Sequence, residues 1–267
     1  MPRKQDFMDF GLDTIFNEDC LVGMKRIPDK SVDAIICDLP YGTTACKWDS
    51  IIPFEPLWEQ YKRIIKPQGS VLLFGSEPFS TMLRMSNLDW FKYDWIWEKN
   101  RPTGFQHANN MPLKDYEIIS VFSPAAMGHT KLLGNKRMIY NPQGIEPIGK
   151  EWKRSASKFG NIVGKRKSQK NSGIQEFTGY PTTTLYYNKD PKGIHPTQKP
   201  VELLRYLIRT YTNEGELVLD NCMGSGTTAI SCLREHRHFI GFENNEEYYN
   251  KACERIRNEQ AQLKLQL

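Results

Sequence analysis

The stretch Glu216-Leu217-Val218-Leu219-Asp220-Asn221-Cys222-Met223-Gly224-Ser225-Gly226-Thr227-Thr228 decides the fold of this chain. Leu217 to Leu219 reads as a short buried strand, and a glycine-rich turn carries the chain into a helix starting near Ala229. Gly224 and Gly226 let the backbone approach a ligand closely, while the exposed amides of a helix start favour a carboxylate or phosphate. The next strand, Phe239 to Phe242, delivers Glu243 at its carboxyl end, where an acid can grip the two hydroxyls of a ribose. A nucleoside with a small anionic tail fits such a cradle.

The same alternation extends to both sides. The pattern predicts a strand end over Phe16 to Cys20, a helix from Leu21 to Ile27, a strand from Val32 to Cys37, and a helix from Pro56 to Ile65 closed by a turn at Lys66 to Gly69. A strand Ser70 to Phe74, a helix Glu77 to Met85 and strands near Tyr93 to Trp97 and Ile118 to Phe122 follow. Helices Val201 to Thr210, Thr228 to Arg234 and Glu246 to about Gln262 complete the set. Strands alternating with helices imply an α/β fold: a doubly wound, largely parallel, Rossmann-like sheet that binds ligands at the carboxyl ends of its strands. Asp38, Asp220 and Glu243 all fall there.

Cys37-Asp38-Leu39-Pro40-Tyr41-Gly42 ends the strand Val32 to Cys37. Pro40 has no amide hydrogen and holds Leu39 extended, so carbonyls in the turn are acceptors without internal partners. Asp38 adds a charged acceptor and Tyr41 an aromatic face, a combination that suits a flat, amino-bearing ring such as adenine or cytosine taken out of its helix. A plain strand-ending turn uses the same residue types. Gly224-x-Gly226-x-x-Ala229 also matches a loose dinucleotide fingerprint, which leaves an NAD-dependent oxidoreductase as an alternative. Asp220 argues against NAD, because a carboxylate there crowds a pyrophosphate but suits the ammonium of a methionine tail. The phosphate loop of nucleotide hydrolases requires a lysine that Thr227-Thr228 lacks.

In the order of these parts the chain resembles the beta class of S-adenosylmethionine-dependent DNA amino-methyltransferases, which methylate adenine N6 or cytosine N4. Asn17 to Cys20 resembles the segment that meets the cofactor adenine, with Asp19 and Cys20 as its contacts. Asp38-Leu39-Pro40-Tyr41 resembles the catalytic motif, and Trp97-Glu98-Lys99-Asn100 through Asp115-Tyr116-Glu117 the pocket-flanking segment. His195-Pro196-Thr197-Gln198-Lys199-Pro200 resembles the segment holding the methionine end, with Thr197 and Lys199 as contacts. Asp220, Gly224, Ser225, Gly226 and Thr227 resemble the cofactor loop, and Glu243 the ribose-binding acid. The resemblance implies direct methyl transfer to the amine of a flipped base, with adenine N6 preferred because a serine in place of Asp38 would indicate cytosine N4. Leu39 stands where proline is usual, and Asn221-Cys222 where Pro-Phe is usual. RNA as substrate and an inactive nucleic-acid binder are further alternatives. A homodimer and a cognate restriction endonuclease are partners that the resemblance allows.

The resemblance divides the 267 residues into a catalytic half (1–127), an inserted target-recognition region (128–190) and a cofactor-binding half (191–267). Charge supports the middle boundary. Gly128 to Gly173 carries eleven Lys and Arg against two Glu, a net +9, which leaves −4 for the remainder of a +5 chain. A basic middle between slightly acidic ends is an electrostatic footprint for a polyanion, which beside the base-binding motif reads as double-stranded DNA, with Lys136, Arg137, Lys153, Arg154, Lys165, Arg166 and Lys167 as candidate contacts. Its Gly, Asn and Ser content predicts loops and short elements that order on DNA; a solvated insertion would look similar. No apolar run reaches the length of a membrane span and the first residues lack a signal-peptide core, so a cytoplasmic protein with reduced thiols is expected. The six cysteines show no paired zinc spacing, and His236 and His238 read as surface residues, so no metal is expected. Cys37, inside the strand pattern and without a Pro-Cys pair, is a poor nucleophile candidate.

Overall fold

Val32–Cys37 (β2) alternates its side chains between two apolar layers. Ala34 and Ile36 face one core cluster, and Ile35 and Cys37 the other. A computed structural model of the chain describes residues 11–42, 49–128, 133–153, 172–190 and 198–265. Among these, an eight-stranded sheet has the order β1-β10-β9-β2-β3-β5-β4-β8. The other members are β1 (Thr14–Phe16), β3 (Ile65–Gly75), β4 (Phe91–Thr103), β5 (Lys114–Phe122), β8 (Thr184–Tyr186), β9 (Leu217–Asp220) and β10 (His238–Phe242). All run in one direction except β5, which is antiparallel to both neighbours because a hairpin connects it to β4.

Helices cover both faces, as a doubly wound sheet requires. On one face lie α1 (Cys20–Gly23), α2 (Phe54–Ile64) and α3 (Phe79–Ser86), with Leu57, Trp58, Tyr61 and Ile64 buried against Ile35, Val71 and Leu73. On the other lie α4 (Val201–Tyr211), α5 (Thr227–Arg234) and α6 (Glu246–Lys264). Helix α4 buries Leu203, Leu204, Leu207, Ile208 and Tyr211, one stripe of a 3.6-residue period, against Trp95, Trp97 and Val121. Each such fully buried aliphatic side chain contributes about 1.5–3 kcal/mol. The one buried hydroxyl of that stripe is paired: Tyr211 Oη accepts from Trp95 Nε1 at 2.6 Å and lies 2.8 Å from Tyr93 Oη.

Several boundaries differ from the sequence reading. The first strand is Thr14–Phe16 and ends before the predicted strand end, because Asp19 is already a helix cap: its Oδ1 accepts from the amides of Leu21 and Val22 at 2.8 and 3.2 Å. The helix expected over Leu21 to Ile27 is one α turn followed by a 3₁₀ turn, since Pro28 holds Ile27 extended (φ −69°, ψ 130°). Instead of a turn at Lys66 to Gly69, β3 starts at Ile65 opposite Val32, with a bulge before Ala34. There Lys66 Nζ meets the buried Asp33 carboxylate at 2.7 Å. Strands β4 and β5 run further than predicted as a projecting hairpin, paired from Phe91↔Phe122 to Thr103↔Lys114.

Residues 142–182 form a second compact unit, narrower than the expected 128–190 insertion. Residues on either side of it belong to the larger unit: Ala126 and Arg137 form a β-bridge, and β8 pairs with β4. The second unit contains an antiparallel pair, β6 (Glu146–Lys153) and β7 (Ser172–Thr178), in a region where the composition predicts loops and short elements.

Candidate active site

Strands β2 and β9 are neighbours, with Ala34 opposite Val218 and Ile35 opposite Leu219. From β2 the chain crosses through α2 to β3 on one side, and from β9 through α5 to β10 on the other. The connections diverge here over opposite faces, so a crevice opens beyond the carboxyl ends of β2 and β9. A cleft of about 380 Å³ occupies it, within the range of ligand sites. Asp38, Leu39, Pro40 and Tyr41 line one side, and Asp220, Gly224, Ser225, Thr227 and Glu243 the other.

On the β2 side, Asp38 is held at both oxygens. Tyr41 Oη donates to Oδ1 at 2.6 Å, and Lys199 Nζ to Oδ2 at 2.5 Å from a position 161 residues away. Burial pushes the Asp38 carboxyl above its usual range, against the opposing pull of Lys199. The Tyr41 ring lies 5.0 Å from Phe79, tilted by 31°, and burial together with the Asp38 charge keeps its phenol neutral well above the ordinary range. The Leu39 side chain is buried in the core layer beneath. A carboxylate has about four lone-pair positions, so Asp38 can still accept from a ligand.

On the β9 side, Asp220 Oδ1 accepts from Cys222 N at 3.0 Å and Oδ2 from Thr228 Oγ1 at 2.6 Å. Burial nevertheless raises its pKa to about 6. Gly224 has φ +51°, and a Cβ there would meet only Cys222 O, at 3.9 Å, so the backbone is open to a ligand. Gly226 does not line the cleft. Its φ of +76° starts α5, and a Cβ would press on Ala252 at 3.2 Å, so this glycine serves helix packing. Glu243 Oε2 accepts from Gly224 N and Oε1 from Asn245 N, each at 2.8 Å, so the ribose-binding candidate also braces the loop. Arg255 of α6 clamps the same loop, donating to Ser225 O and Thr227 Oγ1 at 3.0 Å.

Asp19 and Cys20 line the cleft at the start of α1. Lys199, a candidate for the methionine end, also lines it, but its ammonium lies on Asp38, 3.2 Å from Glu117 Oε2 and 5.2 Å from the Phe74 ring centroid. Asn221, where proline is usual in the resembled motif, is buried: its Oδ1 accepts from Tyr61 Oη at 2.5 Å, and its amide nitrogen is 3.6 Å from Cys20 and Cys222 Sγ. Cys37 is buried in the sheet with its thiol pushed up to about 12 by burial, which removes it as a nucleophile. Thr197, Arg154, Lys165, Arg166 and Lys167 lie outside the described residues. Lys136 is exposed and Arg137 half-buried in the larger unit, and Lys153 is exposed in the smaller one. Among the described residues no cluster of His, Cys, Asp and Glu could hold a metal, and no helix is long and apolar enough to cross a membrane.

The sequence places Glu117 only within the pocket-flanking segment and assigns no role to Tyr61 or Arg255. Each acts on a partner from another element, and no local spacing signals such a contact.

The donor set fits S-adenosylmethionine. Asp220 offers a carboxylate to an ammonium, Glu243 an acid at the end of β10, and Gly224 a backbone without obstruction. The family model described as DNA methylase, of the N6/N4 methyltransferases, matches residues 32–254. The chain is 29% identical over 249 residues to Type II methyltransferase M.HpaI of Haemophilus parainfluenzae, covering 88% of this chain and 71% of that protein. It is 28% identical over 289 residues to Type II methyltransferase M.HinfI of Haemophilus influenzae, covering 95% and 70%. The fold is similar to that of the M1.HpyAVI–SAM complex (TM-score 0.59, 23% identity, 91% of this chain and 98% of that one). It is also similar to the cytosine-N4-specific PvuII DNA methyltransferase (TM-score 0.60, 15% identity, 92% and 90%). With the family match spanning both the β2 motif and the β9 cradle, this chain belongs to the N6/N4 DNA methylases and is an S-adenosylmethionine-dependent DNA methyltransferase.

Proposed function

We propose that the chain methylates the N6 amine of adenine in double-stranded DNA, with the base flipped into the cleft beside Asp38 and Tyr41. The observation that carries this reading is the juxtaposition of the Asp38 acceptor and the Tyr41 ring with the Asp220–Glu243 cradle in one cleft. When bound, S-adenosylmethionine would supply a methyl on a positively charged sulfur that the amine lone pair takes directly, the C–S bond breaking to leave a neutral thioether and one amine proton passing to solvent. An aromatic amine is a weak nucleophile because its lone pair is delocalised into the ring. Asp38 accepts one amine hydrogen and the Leu39 carbonyl the other, which favours the tetrahedral nitrogen of the transition state. Tyr41, backed by Phe79 and tied to Asp38, holds the ring plane. Asp220 holds the ammonium of the methionine tail, Glu243 the ribose hydroxyls, and Asp19 and Cys20 border the adenine.

Transfer of tritiated methyl to unmethylated genomic DNA, followed by nucleoside digestion and mass spectrometry, tests the choice of base. N6-methyladenine is the expected product. N4-methylcytosine would move the assignment to the other amine of the family, and label found in RNA alone would overturn DNA as the substrate.

Lys136, Arg137 and Lys153 serve as phosphate contacts, together with Arg154, Lys165, Arg166 and Lys167. Alanine at each of the three is expected to weaken binding to all DNA sequences alike and to reduce the slope of log K against log salt by about 0.9 for each phosphate no longer neutralised. Titrations by fluorescence anisotropy between low and moderate salt measure this; an unchanged slope removes that residue from the footprint. A homodimer and a cognate endonuclease remain part of the proposal, with sedimentation velocity as the check on the first.

A further inference from the structure

Four charged groups from four segments form an alternating line, three of them, Asp38, Lys199 and Glu117, in the wall of the cleft. Asp38 follows β2, Lys199 precedes α4, Glu117 is on β5 and Lys99 on β4. Lys199 Nζ is 2.5 Å from Asp38 Oδ2 and 3.2 Å from Glu117 Oε2, and Lys99 Nζ is 3.4 Å from Glu117 Oε1. Both ammonium side chains are nearly closed to solvent, at 9% and 4% exposure, and Glu117 is at 15%. Buried ion pairs of this kind are poor devices for stability, because removing the charges from water offsets most of their attraction. Their placement at a reacting carboxylate calls for another explanation.

We propose that Glu117 is a positioning residue for methyl transfer, acting through Lys199 to orient Asp38 and to set its ionisation. This rests on the role proposed above for Asp38. An ammonium has three donors and a flexible stem, so Lys199 alone could leave Asp38 and swing into the cleft. Glu117 holds it by charge, 3.2 Å from Nζ. The contact to Oε2 is within ion-pair distance but outside hydrogen-bond geometry, so the restraint acts largely through charge. Lys99 in turn balances Glu117, leaving the four groups neutral together. Asp38 is faced by Tyr41 from its own turn, Lys199 from the segment before α4, Glu117 from β5, and Cys37 and Asp220 from β2 and β9. Glu117 is further faced by Lys114 and Lys189, besides Lys99 and Lys199.

The Glu117 charge repels a negative Asp38 and favours a positive Lys199. Removing it lowers the pH at which each group loses its proton. The single-turnover methyl-transfer rate of Glu117→Gln should therefore show both limbs of its pH profile moved toward lower pH by about one unit. Lys99→Met should move the acid limb the other way, since a cation that favours ionised Asp38 is removed. Glu117→Asp should restore the wild-type limbs at least in part. Affinities for S-adenosylmethionine and DNA, measured by calorimetry on the same proteins, should stay within about threefold.

Limbs that stay within about 0.3 pH unit in both Glu117→Gln and Lys99→Met, for proteins that bind the cofactor normally, would overturn the proposal even if the rate falls. If Glu117→Gln does not fold, the direction in which Lys99→Met moves the acid limb decides. Asp38→Ala, assayed alongside, separates the two levels. Full activity in that variant would remove the proposed site itself, whereas loss of activity with immobile limbs in the other two would remove only Glu117.

Discussion

Asp38→Ala is expected to reduce the single-turnover rate of methyl transfer by about 10²–10³, the usual cost of deleting one preorganised electrostatic partner of a transition state. Cofactor affinity should change little, because Asp220 and Glu243 lie on β9 and just after β10 and do not depend on Asp38 for their hydrogen bonds. Tyr41 and Lys199 lose their common acceptor, so the base also loses a rigidly held ring face. Asp38→Asn separates these effects. An amide keeps one acceptor oxygen but presents its NH₂ to a donor, either the Lys199 ammonium or the Tyr41 hydroxyl, so it should fall between alanine and wild type. Rapid-quench measurement on preformed protein–DNA complexes gives the rate directly. Fluorescence of 2-aminopurine at the target position reports whether the base is still flipped. A wild-type rate for Asp38→Ala with intact flipping would place the chemistry elsewhere.

Asp220→Asn should stabilise the fold while weakening the cofactor site. Burial raises the Asp220 pKa from 3.8 to about 6, so the folded state binds this proton more tightly than the unfolded chain does. The contribution of Asp220 to stability is therefore fullest below pH 3.8 and is lost as pH rises through about 6. At neutral pH the ionised group opposes folding, by about 1.4 kcal/mol for each tenfold difference in proton affinity between the folded and unfolded states. An asparagine escapes that cost but keeps only part of the pairing with Cys222 N and Thr228 Oγ1, so a net gain of about 1–2 kcal/mol is expected at pH 7.5. The gain should vanish near pH 4, and thermal unfolding across that range measures it. Over the same series, calorimetric titration with S-adenosylmethionine at pH 7.5 should show at least a tenfold loss of affinity, as expected when a buried carboxylate facing an ammonium is neutralised. Tighter cofactor binding would show that Asp220 acts only as a structural cap.

The contrast between these two carboxylates marks where reading the sequence succeeds. Both were legible as acids at the carboxyl ends of strands, where they line the cleft, because each closes a short apolar run and precedes a glycine or proline turn. Such punctuation is local chemistry. The helix stripes of α2 and α4 and the alternation of β2 were legible for the same reason, since apolar period follows directly from backbone geometry. Where the reading missed by a few residues, a specific interaction had overridden the pattern: the Asp19 cap, Pro28 after the first helix, and the pairing of Ile65 with Val32.

Asn221 and Lys199 illustrate what was not legible. Asn221 looks like a defect in a cofactor loop, yet it is the buried acceptor of Tyr61 from α2. Lys199 looks like a cofactor contact, yet its ammonium bridges Asp38 and Glu117, which lie on segments far from it and from each other. By itself the sequence determined the chemical types at the site, the doubly wound α/β class and the family, because these depend on residue identity and on periods of two and 3.6 residues. Only the tertiary structure decided that β9 pairs with β2 and that the segment leading into α4 carries Lys199 over the Phe74 ring. Strand pairing and the neutralisation of buried charge select partners by proximity in the folded core, and chain distance carries no record of that choice.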